Sequence, residues 1–201
     1  MKLYGSLTSP YARKVRIFLI EKGIDCEFIA EGPSDPAGNV ARLNPLGKVP
    51  LLIRDDGEVI FDSPMIIEFL DDLTGYPLIP AGKTRWQAQR WHALGQGILD
   101  AVVTRLMETR RTEERQDPAI IDKQEGKVAA ALRFADEHYK KGKYLVNNSL
   151  TIADIALGVA LEYIDFRYPH DWRSLYPNLD RWLKEHSSSH SFSETRPPAG
   201  A

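Results

Sequence analysis

Apolar and polar positions along the chain follow two rhythms, and the change comes near residue 76. Residues 1–76 carry short apolar runs separated by turn formers. "KLYG" reads as a strand at the amino terminus, and Pro10–Lys22 reads as a helix closed by Gly23. "CEFIAE" reads as a second strand, followed by the loop "GPSDPAGN" and then by "NPLGKVP". "LLIRDDGEVIF" has the pattern of a hairpin, two apolar runs joined around Asp56 and Gly57. "SPMIIEFLDDLTG" reads as a helix ended by Gly75. Two parallel strands with a crossover helix, plus the hairpin, predict a small mixed four-stranded sheet covered by helices.

"YPLIPAGK" stops regular structure, so residues 77–83 read as a linker. Beyond it the period is helical. Trp91, Leu94, Ile98, Val102 and Leu106 recur at helical spacing, as do Val128, Leu132, Ala135 and Tyr139. In "SLTIADIALGVALEYIDF", Thr151 with Asp154 three residues on has the form of a capping box, and Leu150 and Ile155 are spaced for a hydrophobic staple. Pro177 opens a further helix in "YPNLDRWLKEH". The tail "SSSHSFSETRPPAG" reads as loose, with Phe192 docking on the helical part. The predicted class is therefore α/β followed by all-α: residues 1–76 as a sheet domain, 77–83 as a linker, and 84–201 as a helical bundle. The strip Trp91, Ile98 and Val102 is the predicted face of a homodimer.

Composition narrows the function classes. The formal net charge of the 201 residues is -2, with no long block of either sign, which gives no footprint for nucleic acid or an anionic membrane surface. No apolar stretch has the length to span a bilayer, and "MKLYGS" has no apolar signal segment, so the protein reads as cytoplasmic. The single cysteine, Cys26, excludes an internal disulfide and any CxxC site, and its place in an apolar strand reads as packing. His92, His138, His170, His186 and His190 lack metal-ligand spacing, so no metal site is expected. Trp86 and Trp91 read as core or interdomain aromatics, and "TRRTEER" as a solvated charged face.

A serine–proline pair opens a helix twice, at Ser9-Pro10 and Ser63-Pro64. Ser9 suits a helix N-cap, with Pro10 at the first helical position where its missing N–H costs nothing. Each pair also suits a ligand, because a helix start gathers unpaired N–H groups and partial positive charge. If both helices pack on one sheet, the two starts and the turn "GKVP" form a composite site. Val49 precedes Pro50 and is pushed toward extended geometry. A cis bond there would turn the Val49 backbone outward, to pair with an extended peptide as an added strand does. Asp62 beside Ser63 suits an ammonium group. The implied ligand is a short peptide with carboxylates, an amine and an anionic group at Ser9.

"SPYARKVR", "NPLGKVP" and "FDSPMIIEFL", in this order, followed by "LTIADIAL", resemble the glutathione transferase superfamily over nearly the whole chain. The motifs are most similar to bacterial and plant-type members that use serine at the site. The resemblance implies a thioredoxin-like domain, a helical domain lining an electrophile pocket, and a homodimer. It implies glutathione as co-substrate, with Ser9 hydrogen-bonded to its sulfur and Thr8 as the alternative one residue away. It further implies that Val49, before a cis Pro50, pairs with the cysteinyl part. Asp62 and Ser63 then hold the γ-glutamyl end, and Lys48 reaches the glycyl carboxylate. Tyr11, Arg105 and Arg110 are candidates for the electrophile pocket, and Tyr4 for a phenol near the site. A thiolate is the good nucleophile where a thiol is a poor one. Disulfide-exchanging relatives carry cysteine at the Ser9 position, and serine cannot form a mixed disulfide. The other class is a noncatalytic glutathione-binding or protein-interaction module of the same fold.

Overall fold

The computed structural model describes residues 1–33 and 36–200, so Ser34 and Asp35 of the loop "GPSDPAGN" lie outside the described residues. Two compact units emerge: Met1–Ile79 together with the carboxy-terminal segment from Ser189, and Pro80–Ser188.

In the first unit the order is β1 (Lys2–Gly5), α1 (Pro10–Lys22), β2 (Glu27–Ala30), α2 (Asn39–Leu43), β3 (Leu51–Ile53), β4 (Val59–Ile60) and α3 (Ser63–Asp72). The sheet order is β2–β1–β3–β4. β1 runs parallel to β2, from Lys2 opposite Glu27 to Gly5 opposite Ala30. It runs antiparallel to β3, with Tyr4 opposite Leu51, and β3 runs antiparallel to β4, with Leu52 opposite Ile60. Two reversals return β4 to the direction of β1. The carboxyl ends of β1, β2 and β4 therefore share one edge with the amino end of β3. This is the mixed four-stranded sheet the sequence predicts.

α1 buries Ala12, Val15, Ile17, Phe18 and Leu19, and it ends where Gly23 takes a left-handed φ of 62°. Its close approach to β1 needs Gly5, where an added Cβ would lie 2.6 Å from the Ala12 Cβ. α3 does not end as the sequence suggests. It stops at Asp72 with a right-handed cap at Leu73, and Gly75 has no left-handed conformation. The turn is made by a side chain instead. The buried Asp71 carboxylate accepts the N–H groups of Leu78 (2.8 Å) and Ile79 (3.1 Å) and the Lys22 ammonium (2.9 Å).

The second unit holds α4 (Gly82–Thr109), α5 (Pro118–His138), α6 (Ile152–Arg167), α7 (Trp172–Leu175) and α8 (Pro177–Ser187), with a 3₁₀ turn at Glu113–Arg115. Every residue of α6 from Ile152 to Leu161 is buried. Its start is the predicted capping box: Asp154 accepts from the Thr151 N–H (2.9 Å) and also from the Leu145 N–H (2.8 Å). α4 packs on α6 so closely that a Cβ on Gly95 would stand 2.7 Å from the Ala156 backbone. Trp91, Ile98 and Val102 are buried within this chain, which corrects their reading as a dimer face. The apolar stripe of α4 finds its partner in α6, which is buried all round from Ile152 to Leu161. Trp86, read as a core or interdomain aromatic, is 75% exposed.

The tail is a second correction. Residues 190–194 form a ninth helix, α9 (His190–Glu194), which packs on α1 of the first unit, and Phe192 is buried there rather than on the helical part. Among the described residues, no helix is long and apolar enough to cross a membrane.

Replacing Asp71 by alanine strips the fully buried Lys22 ammonium of its carboxylate and orphans two amides. Breaking a buried ion pair from one side costs about 3–5 kcal/mol. Urea denaturation of Asp71→Ala should show a loss of that size; a loss below about 1 kcal/mol would contradict this account of the turn.

Candidate functional site

Strand direction decides which residues meet. Ser9 follows β1 by four residues, Val49 and Pro50 immediately precede β3, and Asp62 and Ser63 follow β4 within three residues. All these positions lie at the Gly5 edge of the sheet, because Tyr4 pairs with Leu51 and Leu52 with Ile60. α1 and α3, which both start from this edge, pack against each other. The two serine–proline helix starts and the "GKVP" turn thus come together at one place.

At the first start, Ser9 is the N-cap. Its Oγ accepts the Ala12 N–H at 3.2 Å, its carbonyl accepts the Arg13 N–H at 2.9 Å, and Pro10 occupies the first position. The capping bond uses the oxygen of the half-buried hydroxyl as acceptor and leaves its proton for donation outward. The cap reading and the ligand reading are therefore compatible. Thr8 is held differently. Its Oγ1 pairs with the Ser6 Oγ at 3.0 Å, and its N–H donates to the same oxygen at 3.2 Å. The Ser6 carbonyl accepts the Ser9 N–H at 3.0 Å. One residue, Ser6, fixes both neighbours of the helix start.

At the second start, Ser63 is buried and Asp62 is exposed at the N-cap, yet the Asp62 carboxylate makes no capping bond. The peptide bonds Val49–Pro50 and Phe61–Asp62 are both cis. The Val49 side chain packs on a core cluster of Tyr4, Val40 and Leu51, and Phe61 packs there too. Val49 stands two residues outside the ladder, whose last β1–β3 pair is Tyr4 with Leu51. Tyr4 is 7% exposed and belongs to this core.

Asn44 is the residue that sequence reasoning missed. It is buried; its Nδ2 donates to the Lys48 carbonyl at 2.7 Å, and its Oδ1 accepts the Leu46 N–H at 3.0 Å. Its own carbonyl accepts from Gly47, which has a φ of 57°. The signal was present: asparagine before proline, with glycine three residues on, is the chemistry of a side-chain-tied turn. The Lys48 side chain is exposed beside it. The amino end of α2 is held by Glu31, whose carboxylate accepts the Val40 N–H at 2.6 Å and the Asn39 amide at 3.3 Å. The Val40 N–H holds the Glu31 carboxyl below its usual range.

The residues suggested for an acceptor fall in both units. Tyr11 is half-buried in the first turn of α1. Arg105 of α4 is held within the second unit, donating to Glu125 at 2.6 Å and lying 4.2 Å over the Tyr168 ring. Arg110 is exposed just past α4. Cys26 is half-buried, and burial pushes its thiol up. Among the described residues, no group of three or more His, Cys, Asp or Glu side chains could hold a metal ion.

Comparison with known proteins bears on this geometry. The profile described as "Glutathione S-transferase, N-terminal domain" matches residues 3–78, and "Glutathione S-transferase, C-terminal domain" matches residues 118–185. The uncharacterized GST-like protein YibF of Escherichia coli (strain K12) is 35% identical, over 98% of this chain and 99% of its own. A glutathione S-transferase crystal structure from Methylobacillus flagellatus, with GSH bound, is 46% identical with a TM-score of 0.94, covering 98% of this chain and 99% of that one. One from Methylobacterium radiotolerans, in complex with glutathione sulfonate, is 34% identical with a TM-score of 0.93, covering 100% and 96%.

Asn44→Ala removes both side-chain bonds of the turn, and an unsatisfied buried group costs about 1–3 kcal/mol. Chemical denaturation should report a loss in that range. Asn44→Asp, which keeps the acceptor and loses the donor, should fall between wild type and alanine; an unchanged midpoint in Asn44→Ala would remove Asn44 from the support of this edge.

Proposed function

The chain belongs to the glutathione S-transferase family, and from that premise we propose that it binds glutathione at the Gly5 edge and activates the thiol as a thiolate for attack on an electrophilic small molecule. The observation that carries this reading is the shared edge of Ser9, Val49–Pro50 and Asp62–Ser63. The relatives that hold GSH and glutathione sulfonate support the same ligand.

In this reading the Val49 backbone pairs with the cysteinyl part of the peptide, as an added strand would. Asp62, uncommitted to its own helix, takes the γ-glutamyl ammonium, and Ser63 meets the adjacent carboxylate with its hydroxyl and N–H. Lys48 reaches the glycyl carboxylate. The Ser9 hydroxyl, its oxygen held by Ala12, donates its proton to the sulfur, and the partial positive charge of the α1 start adds to the effect. Each pH unit by which the thiol is depressed needs only about 1.4 kcal/mol. The thiol proton passes to solvent, and the sulfur lone pair forms the bond to the electrophilic carbon as the acceptor's leaving group departs with its electron pair. Thr8, tied to Ser6, is the weaker candidate for the donor. We further propose a homodimer, formed by a face other than the buried Trp91 strip.

Asp62→Ala and Ser63→Ala should each weaken glutathione binding by about 1.5–3 kcal/mol in calorimetry. Ser9→Ala should leave affinity within a few-fold and lower conjugation of a chromogenic aryl halide roughly 10- to 150-fold. Loss of its cap should also cost the fold about 0.5–2 kcal/mol. Wild type that binds glutathione but turns over no electrophile in a panel would support the noncatalytic module instead. For the dimer, sedimentation at micromolar concentration should give twice the mass of the chain; a monomer would refute it.

A further inference from the structure

We infer that Arg13 is a positioning residue for Ser9, and that it acts through the carboxy-terminal segment, which holds the first turn of α1 in place. The inference rests on the reading of Ser9 as the donor to sulfur.

Arg13 supplies the backbone N–H that holds the Ser9 carbonyl at 2.9 Å, so its backbone is part of the turn that aims Ser9. Arg13 is 4% exposed, and its side chain runs into the returning tail. Nη2 donates to the Phe192 carbonyl at 3.1 Å, Nε donates to the Thr195 Oγ1 at 3.3 Å, and the guanidinium lies 5.7 Å from the Phe192 ring centre. Thr195 is itself buried and donates its hydroxyl proton to the Ser191 carbonyl at 2.8 Å. Farther along α1, Arg16 donates to the Glu194 carbonyl at 3.4 Å and stacks 4.6 Å over Phe28 of β2. Glu21 accepts the Ser191 hydroxyl.

The chemistry of this contact is specific. The carbonyls at the end of a helix have no partner within it, and they carry partial negative charge. Two guanidiniums of α1 meet those carbonyls at the end of α9, and a carboxylate of α1 meets the other end. A guanidinium presents its donors in a rigid fork, so a buried arginine bonded at two nitrogens fixes orientation as well as distance. The fork belongs to the residue whose amide closes the turn on Ser9. Orientation of that turn is what a sulfur donor depends on, since a misplacement near 1 Å can lower a rate by about 100-fold. The tail adds no group to the ligand in this scheme.

The test uses the full chain in four variants beside wild type and Ser9→Ala. Arg13→Met should raise the pH at which bound glutathione ionises by about half to one unit in an ultraviolet titration. It should lower turnover about 3- to 10-fold at neutral pH, with the deficit closing at alkaline pH where the thiolate forms unaided. Glutathione affinity should stay within about threefold, since the peptide is held mainly through Val49, Asp62 and Ser63. Arg13→Lys should restore part of the effect. Thr195→Val and Phe192→Leu, gentler changes at the far end of the contact, should move the titration in the same direction and carry the test if Arg13→Met does not fold. Variants that melt earlier but titrate and turn over like wild type would overturn the inference and leave the tail a structural strap only. If Ser9→Ala is itself silent in the titration, the reading of Ser9 falls and the inference with it. If Ser9→Ala responds and the tail variants do not, only the inference falls.

Discussion

A helix begins with N–H groups that no carbonyl inside it can satisfy, and this chain closes those starts in different ways. Among the described residues, three helices have aspartate at the N-cap. Asp117 accepts the Ala119 N–H, and Asp171 accepts the Ser174 N–H. Asp62 makes no such bond. In the second unit, Thr151 and Asp154 close the start of α6 from both sides. At the Gly5 edge, Ser9 caps with its oxygen alone, and Asp62 keeps its carboxylate out of its own helix. Neither of the starts that share this edge is closed from both sides as the start of α6 is. Strand direction gives them a common location, since the two antiparallel steps from β1 to β4 put both helix starts at one end of the sheet.

Support for that edge lies one layer back, in groups that bond to backbone. Ser6 holds Thr8 and Ser9, Asn44 holds the Lys48 carbonyl, and Glu31 holds the start of α2. Asp71 does the same work at the far end of α3, binding the exit of the chain from the unit and the Lys22 ammonium of α1. Ser6, Asn44 and Asp71 are short side chains tied to main-chain groups, which fix position better than contacts between two long flexible ones.

Much of this was legible in sequence, and the exceptions have physical causes. Apolar periodicity placed the strands and the long helices, because burial of one face is a local property of the pattern. The serine–proline pairs located both helix starts, and the family resemblance supplied the glutathione roles. The α4 strip was read as a dimer face because a stripe says that something covers it and not what. The answer lay some 50 residues later, in an α6 whose residues from Ile152 to Leu161 are all buried. Gly75 misled because a glycine near a helix end suggests a left-handed cap, whereas Asp71 turns this chain with its side chain. The tail was hidden for another reason. Its single large apolar residue, Phe192, sits among serines, and its partners Arg13, Arg16 and Glu21 are separated from it by most of the chain. No local pattern encodes a contact of that range.

A site assembled this way asks little of sequence. Three elements of the proposed site are backbone features: the start of α1, the start of α3 and the turn before β3. What they require is a polar residue at each helix start, a glycine with positive φ at position 47, and an asparagine that ties the turn at 44. Most other positions need only be apolar and of suitable size, a demand that many residues satisfy. Relatives at 34% and 46% identity accordingly keep the fold at TM-scores of 0.93 and 0.94. In the proposed reaction, the same economy leaves specificity for the acceptor to side chains beyond that edge, where the fold leaves residue choice freer. Arg105 illustrates the limit of that freedom: once Glu125 and the Tyr168 ring hold its guanidinium, it is part of the helical unit's structure, and a new role would have to compete with a 2.6 Å ion pair.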